Sequence, residues 1–161
     1  MDLNSASIDA RLELPLGICD LSYSNLDVQA IISSVGNAGA GGIAVFIGVT
    51  REDNIDGKVV ARLEYQAYSK LAIKTMAKVI QDVNASVFPS TSMARYALHH
   101  RLGVVPVGEP SIVIAVSAPH RKECFLACES VLERVKKECQ IWKREFYQGE
   151  SDVVAEWKAN Q

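Results

Sequence analysis

Little in this chain anchors an assignment by itself. The four cysteines, Cys19, Cys124, Cys128 and Cys139, include no C-x-x-C pair. No charged segment followed by an apolar run stands near Met1, so no signal peptide is expected. Reduced thiols and a cytoplasmic location are then the default. A zinc site joining Cys124 and Cys128 to His99, His100 or His120 fits no standard ligand spacing, so no metal is expected. Core packing on a helix is the reading for that pair. No run of about 18 apolar residues occurs, so no membrane helix is expected. An excess of one charge is lacking too. Seventeen Lys and Arg face 19 Asp and Glu, a formal net charge of −2. Nothing draws the whole surface toward nucleic acid or an anionic membrane, and any anion site must be local.

What is present is globular in kind. The 161 residues are 48% hydrophobic and 22% charged, enough for one self-supporting domain. Residues 1–24 read as a weakly structured extension, 25–150 as the domain and 151–161 as a polar tail. Residues 26–35 fit a short helix capped near Asn25 or Asp27. "GNAGAGG", 36–42, looks like a phosphate loop but lacks the Gly-Lys-Ser/Thr ending and precedes a strand, so it reads as a turn.

"GIAVFIGV", 42–49, is a continuous apolar run of strand length, which predicts burial on both faces. Residues 59–68 alternate, with Val59, Ala61, Leu63, Tyr65 and Ala67 on one face and Arg62, Glu64 and Gln66 on the other. Residues 70–85 switch to helical spacing, 94–103 read as a strand, and 105–110 as a turn. "SIVIAVS", 111–117, is a second buried strand. A long helix over about 120–139 is expected to bury Phe125, Cys128, Leu132, Val135 and Cys139. Strands and helices do not alternate regularly, so the class is α+β.

Cations gather at three places. Arg51 follows the first apolar strand. His120, Arg121 and Lys122 open the long helix, where the dipole disfavours positive charge. An anion held there would satisfy both the cations and the free N–H groups; screening by solvent and Glu123 would also do. Lys136 and Lys137 end the helix, where cations suit the dipole, and Lys136 falls at the edge of the buried stripe. In "IWKREFY", 141–147, strand geometry puts Trp142, Arg144 and Phe146 on one face and Lys143, Glu145 and Tyr147 on the other.

Taken together, "AVFIGVTREDNIDGKVVARLEYQAY", "HHRLGVVPVGEPSIVIAVSAPHR" and "IWKREFY" resemble the large, catalytic subunit of molybdopterin synthase, from about Gly42 to Tyr147. The resemblance implies an α/β-hammerhead type of fold, a mixed or antiparallel sheet packed with helices. It implies a homodimer in which each subunit binds a small ubiquitin-like sulfur carrier, a heterotetramer overall. The carrier's Gly-Gly thiocarboxylate would supply two sulfurs to a cyclic pyranopterin monophosphate, forming the molybdopterin dithiolene. No resident cofactor is implied. The family's site residues carry over as Val49, Thr50, Arg51, His120, Arg121, Lys136, Lys143, Arg144 and Glu145. Lys136 would be the essential lysine, with Lys143 beside it. Pro119 departs from the small residue more usual there.

Fifteen residues separate Arg121 from Lys136, roughly 22 Å along a helix. Either that helix breaks, or the pocket is shared between two chains. The alternative class is a non-catalytic scaffold that docks a ubiquitin-like tail.

Overall fold

The computed structural model describes residues 2–89 and 93–161. A short helix α1 (Leu3–Ala6) leads into strands β1 (Ala10–Leu14) and β2 (Gly17–Ser22), then helix α2 (Val28–Ser34). Strands β3 (Gly42–Val49), β4 (Asn54–Ile55) and β5 (Lys58–Ala67) precede helix α3 (Ser69–Val87). Strands β6 (Arg95–Arg101), β7 (Gly103–Pro106) and β8 (Pro110–Ala118) lead to helix α4 (Arg121–Glu138). Strand β9 (Ile141–Tyr147), a 3₁₀ turn (Asp152–Val154) and strand β10 (Lys158–Ala159) close the chain. The architecture is α+β, as expected.

Two sheets form. The first runs β1-β2-β6-β8-β3 and is mixed, because β2 pairs with β6 in parallel while its other neighbours are antiparallel. The second is antiparallel, β10-β9-β5-β4, with β7 also on β5. Helices α3 and α4 cover one face of the first sheet. Helix α2, capped by the Asp27 carboxylate accepting from Ala30 N, covers part of the other with Ile31.

Strand β8 is buried along almost its whole length, as its apolar run predicts, because it lies under α4 on one side and near α2 on the other. Strand β3 departs from the same expectation. It is the outer strand, and only one face is covered. Ala44 is buried, whereas Ile43, Val45, Ile47 and Val49 are 45, 37, 40 and 52% exposed. The run forms an apolar stripe on the surface.

Helix α4 corrects a second expectation. It buries Cys124, Ala127, Cys128, Val131 and Val135, while Phe125 stands 67% exposed and Leu132 and Cys139 are only half-buried. Small residues line the core face because the helix approaches the sheet closely: Cys124 Sγ lies 3.3 Å from the Gly42 carbonyl oxygen. Burial pushes the Cys128 thiol up to about 11 and Cys19 and Cys139 up to about 12, as fits packed rather than reactive thiols.

Residues 2–24 are not weakly structured, against expectation. They supply α1 and the β1–β2 hairpin, and Cys19 and Leu21 sit in the core at 0 and 1% exposure. Gly17, at φ +148°, lets the hairpin press on β6: a Cβ there would fall 1.8 Å from the Tyr96 carbonyl oxygen. On β5, a bulge between Val60 and Arg62 resets the alternation, so Val60 is buried in place of Val59 and Ala61. Gln66, expected on the exposed face, is buried under α1, donating to Asn4. The tail 151–161 is likewise tied down, with Lys158 and Ala159 paired to Lys143 and Trp142.

Candidate active site

Where the two sheets meet the end of α4, a cavity of about 410 Å³ opens, a size that suits a small ligand. The end of β3 contributes Val49, and Arg51 follows it. Strand β5 contributes Leu63 and Tyr65, β9 contributes Lys143 and Glu145, α4 contributes Lys136, and the tail contributes Asn160 and Gln161. Residues far apart in sequence therefore converge because β5 and β9 pair in register, Tyr65 against Lys143 and Leu63 against Glu145. Gly48 lets β3 lie tight on β8 at this point, since a Cβ would meet Ile112 Cγ2 at 2.6 Å.

The cavity wall carries three cations, Arg51, Lys136 and Lys143, against two carboxylates, Asp53 and Glu145. Lys136 sits in the last turn of α4, half-buried at the edge of the apolar stripe as its spacing predicts. Arg134, one turn behind Glu138, holds that end of the helix by bonds to Glu138 and to Asp82 of α3. The Lys143 ammonium is held below its ordinary range, first by burial and then by Lys136, Lys158 and Arg51, against the opposing pull of Glu145. Glu145 accepts from the Tyr147 hydroxyl and lies 3.8 Å from Lys158 Nζ. Arg51 is mostly exposed and paired with Asp53 at 2.9 Å. Burial keeps the Tyr65 phenol protonated to higher pH than usual, a standing donor.

Of the residues singled out from sequence, Val49, Arg51, Lys136, Lys143 and Glu145 share this cavity. Thr50 does not enter it. It is 2% exposed and serves the turn, its N–H donating to Glu109 and its carbonyl accepting from Gly108. Arg144 points to the other face of β9, as alternation requires, and binds Glu64 rather than Glu145. His120 and Arg121 lie at the opposite end of α4, against Gly41 and Pro119 in a separate shallow cavity. Helix α4 runs unbroken from Arg121 to Glu138, which removes the broken-helix option.

Sequence reasoning missed His100, Tyr65, Asp53 and Asn160 in the wall. His100 gave one signal: a histidine at a core-facing position of a strand, where a neutral ring needs a specific partner.

The chain was compared with known proteins. The MoaE protein family profile matches residues 21–138. A molybdopterin synthase catalytic subunit of Aedes aegypti is 42% identical over 141 residues, 88% of each chain. One from Pyricularia oryzae is 41% identical over 88% of this chain and 73% of its own. Molybdopterin synthase from Staphylococcus aureus superposes with a TM-score of 0.76 at 28% identity, covering 86% of this chain and 94% of that one. A Helicobacter pylori complex of subunits 1 and 2 of molybdopterin-converting factor shares the fold, with a TM-score of 0.63 at 20% identity over 82% of this chain and 86% of that one.

Proposed function

This chain belongs to the MoaE protein family, and from that premise we propose that it is the catalytic subunit of a molybdopterin synthase. It passes two sulfurs from the thiocarboxylate of a small carrier subunit to a cyclic pyranopterin monophosphate. The observation that carries the reading is the meeting of Lys136, Lys143 and Arg51 in one cavity. Both the thiocarboxylate and the cyclic phosphate are anions. Bringing them together needs fixed cations in a partly dry site. Each transfer makes a carbon–sulfur bond on the pterin in place of a carbon–oxygen bond, whose oxygen leaves with the opening phosphate ester or as water, and breaks the acyl carbon–sulfur bond of the carrier, which water returns as a carboxylate.

Lys136 and Lys143 are the catalytic pair. Lys143, whose ammonium is disfavoured by burial, gives up and takes back a proton at less cost than an exposed lysine. Lys136 stabilises the charge on the carrier's carbonyl oxygen as the acyl carbon turns tetrahedral. Arg51 guides the phosphate, and Glu145 balances Lys143. Thr50 and Arg144 support this wall from behind. The reaction is cytosolic, where thiols such as those here stay reduced.

The working unit is a homodimer, each chain with its own carrier, a heterotetramer in all. Strand β3 spans about 25 Å from the His120–Arg121 end to the Arg51 end. A two-fold axis crossing its middle sets two copies antiparallel. The start of one β3 then meets the end of the other, and the apolar stripe Ile43, Val45, Ile47 and Val49 is covered. His120 and Arg121 of one chain thereby reach the phosphate held beside Lys136 of its partner.

Purified chain, thiocarboxylated carrier and cyclic pterin are mixed, and dithiolene product is measured. Turnover supports the reading. Carrier binding without turnover would leave a docking scaffold in its place.

A further inference from the structure

His100 forms part of the cavity wall and is 1% exposed. Its Nδ1 lies 2.8 Å from the carbonyl oxygen of Arg101. A carbonyl oxygen can only accept, so Nδ1 carries the proton and donates. Nε2 is left with a lone pair, and Asn160 Nδ2 meets it at 3.2 Å. Tyr65 fixes the ring edge-on, with centroids 4.9 Å apart. Burial, with Lys136 nearby, draws the imidazole down to about 4, so it stays neutral under working conditions. His100 is therefore a preset acceptor for one N–H donor in the cavity wall.

The donor now in place comes from a side chain, not from the backbone. The main-chain N–H of Asn160 is already spent on the Ile141 carbonyl oxygen at 3.1 Å. An extended peptide laid along β9 would direct its own N–H groups at the β9 carbonyls in the same way. A glycine tail has no side-chain amide to reach Nε2. A planar heterocycle with a ring N–H has the donor that a glycine tail lacks, and the apolar side chains of Phe46, Leu63 and Ile112, which line the same cavity as His100, suit such a ring.

We propose that His100 is a specificity residue for the pterin: its Nε2 accepts a ring N–H of the substrate, and the Asn160 carboxamide holds that position until the substrate displaces it. The inference rests on the functional reading above for the substrate's identity. A site built to receive an N–H rejects analogues without one, because the lone pair is then buried unmet.

Calorimetric titration of the full chain with cyclic pyranopterin monophosphate, without carrier, tests this apart from turnover. His100→Phe keeps a ring but removes the acceptor, and it is expected to weaken pterin binding about tenfold. His100→Gln, which restores an acceptor oxygen, recovers part of the loss. Inorganic phosphate, titrated in parallel, binds both variants as it binds the wild type. Unchanged pterin affinity in folded His100→Phe overturns the proposal, as does an equal loss of phosphate affinity. Should His100→Phe fail to fold, Asn160→Ala decides. Removing the competing donor tightens pterin binding several-fold, and unchanged or weaker binding overturns the proposal. Wild-type chain that binds pterin yet makes no dithiolene sinks the functional reading and leaves the role of His100 standing.

Discussion

Arg144 and Glu64 face each other across β9 and β5, with Nε and Nη2 of the guanidinium 2.9 and 2.7 Å from the same carboxylate oxygen. Phe146 and Trp157 flank the guanidinium, at 5.0 and 4.6 Å from its carbon. This is the face of β9 turned from the cavity. Arg144→Met is expected to lower stability by about 1 kcal/mol and to leave kcat within about twofold at a temperature where the variant is folded. Denaturant unfolding and steady-state turnover check the two halves. A collapse of kcat without loss of stability would place Arg144 in the chemistry.

Lys143 gives a prediction with a sign. Its folded pKa lies below the ordinary 10.5, chiefly through burial. Between those two values the unfolded chain binds a proton that the folded chain has released, so stability climbs with pH there. Below both values both states are protonated and the folded chain bears the full cost. Lys143→Met removes it. The variant is expected to melt higher than wild type at pH 7, with the advantage fading toward pH 10.5, while turnover is lost. Thermal melts across that range, paired with activity, test both statements.

Removal of Lys136 acts on the reaction alone. Lys136→Ala is expected to cut kcat by about a hundredfold or more, with melting temperature nearly unchanged because the side chain is only half-buried. Product formation from pre-thiocarboxylated carrier is the readout. Near-normal turnover would remove Lys136 from the chemistry.

Two defective chains can repair each other if the pocket is shared. Mixing Arg121→Ala with Lys136→Ala chains gives hybrids in about half of the dimers, each with one intact pocket, so about one quarter of wild-type activity returns. Val45→Asp on the apolar stripe leaves a folded monomer with little activity, seen by light scattering. No recovery in the mixture, or a Val45→Asp chain that remains dimeric, would contradict this arrangement.

The amino-terminal hairpin is predicted to be indispensable. Leu21, 1% exposed on β2, costs about 2–5 kcal/mol when replaced by alanine. Deletion of residues 2–24 strips the core of Cys19 and bares the edge of β6, giving a chain that does not fold. Circular dichroism and denaturant titration decide.

Sequence reached α2, α3, α4 and β8 through a cap signal and apolar periodicity. It reached Lys143 and Glu145 through strand alternation, Lys136 through helical spacing, and all three through the family pattern. Strand β3 misled because a fully apolar run reads the same whether a helix of its own chain or a neighbouring molecule covers it. Phe125 misled because size stands in for burial in periodicity, whereas the close approach of α4 to the sheet selected Cys124, Ala127 and Cys128. The hairpin was hidden because its parallel pairing to β6 joins positions about 80 residues apart. The tail was hidden because backbone pairing, ion pairs from Asp152 and Lys158, the Trp157 ring against Arg144 and the Asn160 amide hold it, and together they leave no apolar period.

The alternation along β9 has one more implication. Lys143 and Glu145 share the cavity only because Arg144 intervenes, and Tyr65 stands opposite Lys143 only in this register. The strand therefore has a parity. Many single replacements within 141–147 leave its neighbours where they are. Adding or deleting one residue turns every later side chain to the opposite face, sending acids and bases into the packing and packing residues into the cavity. Lineages descended from this protein can vary the letters of this segment far more freely than its length.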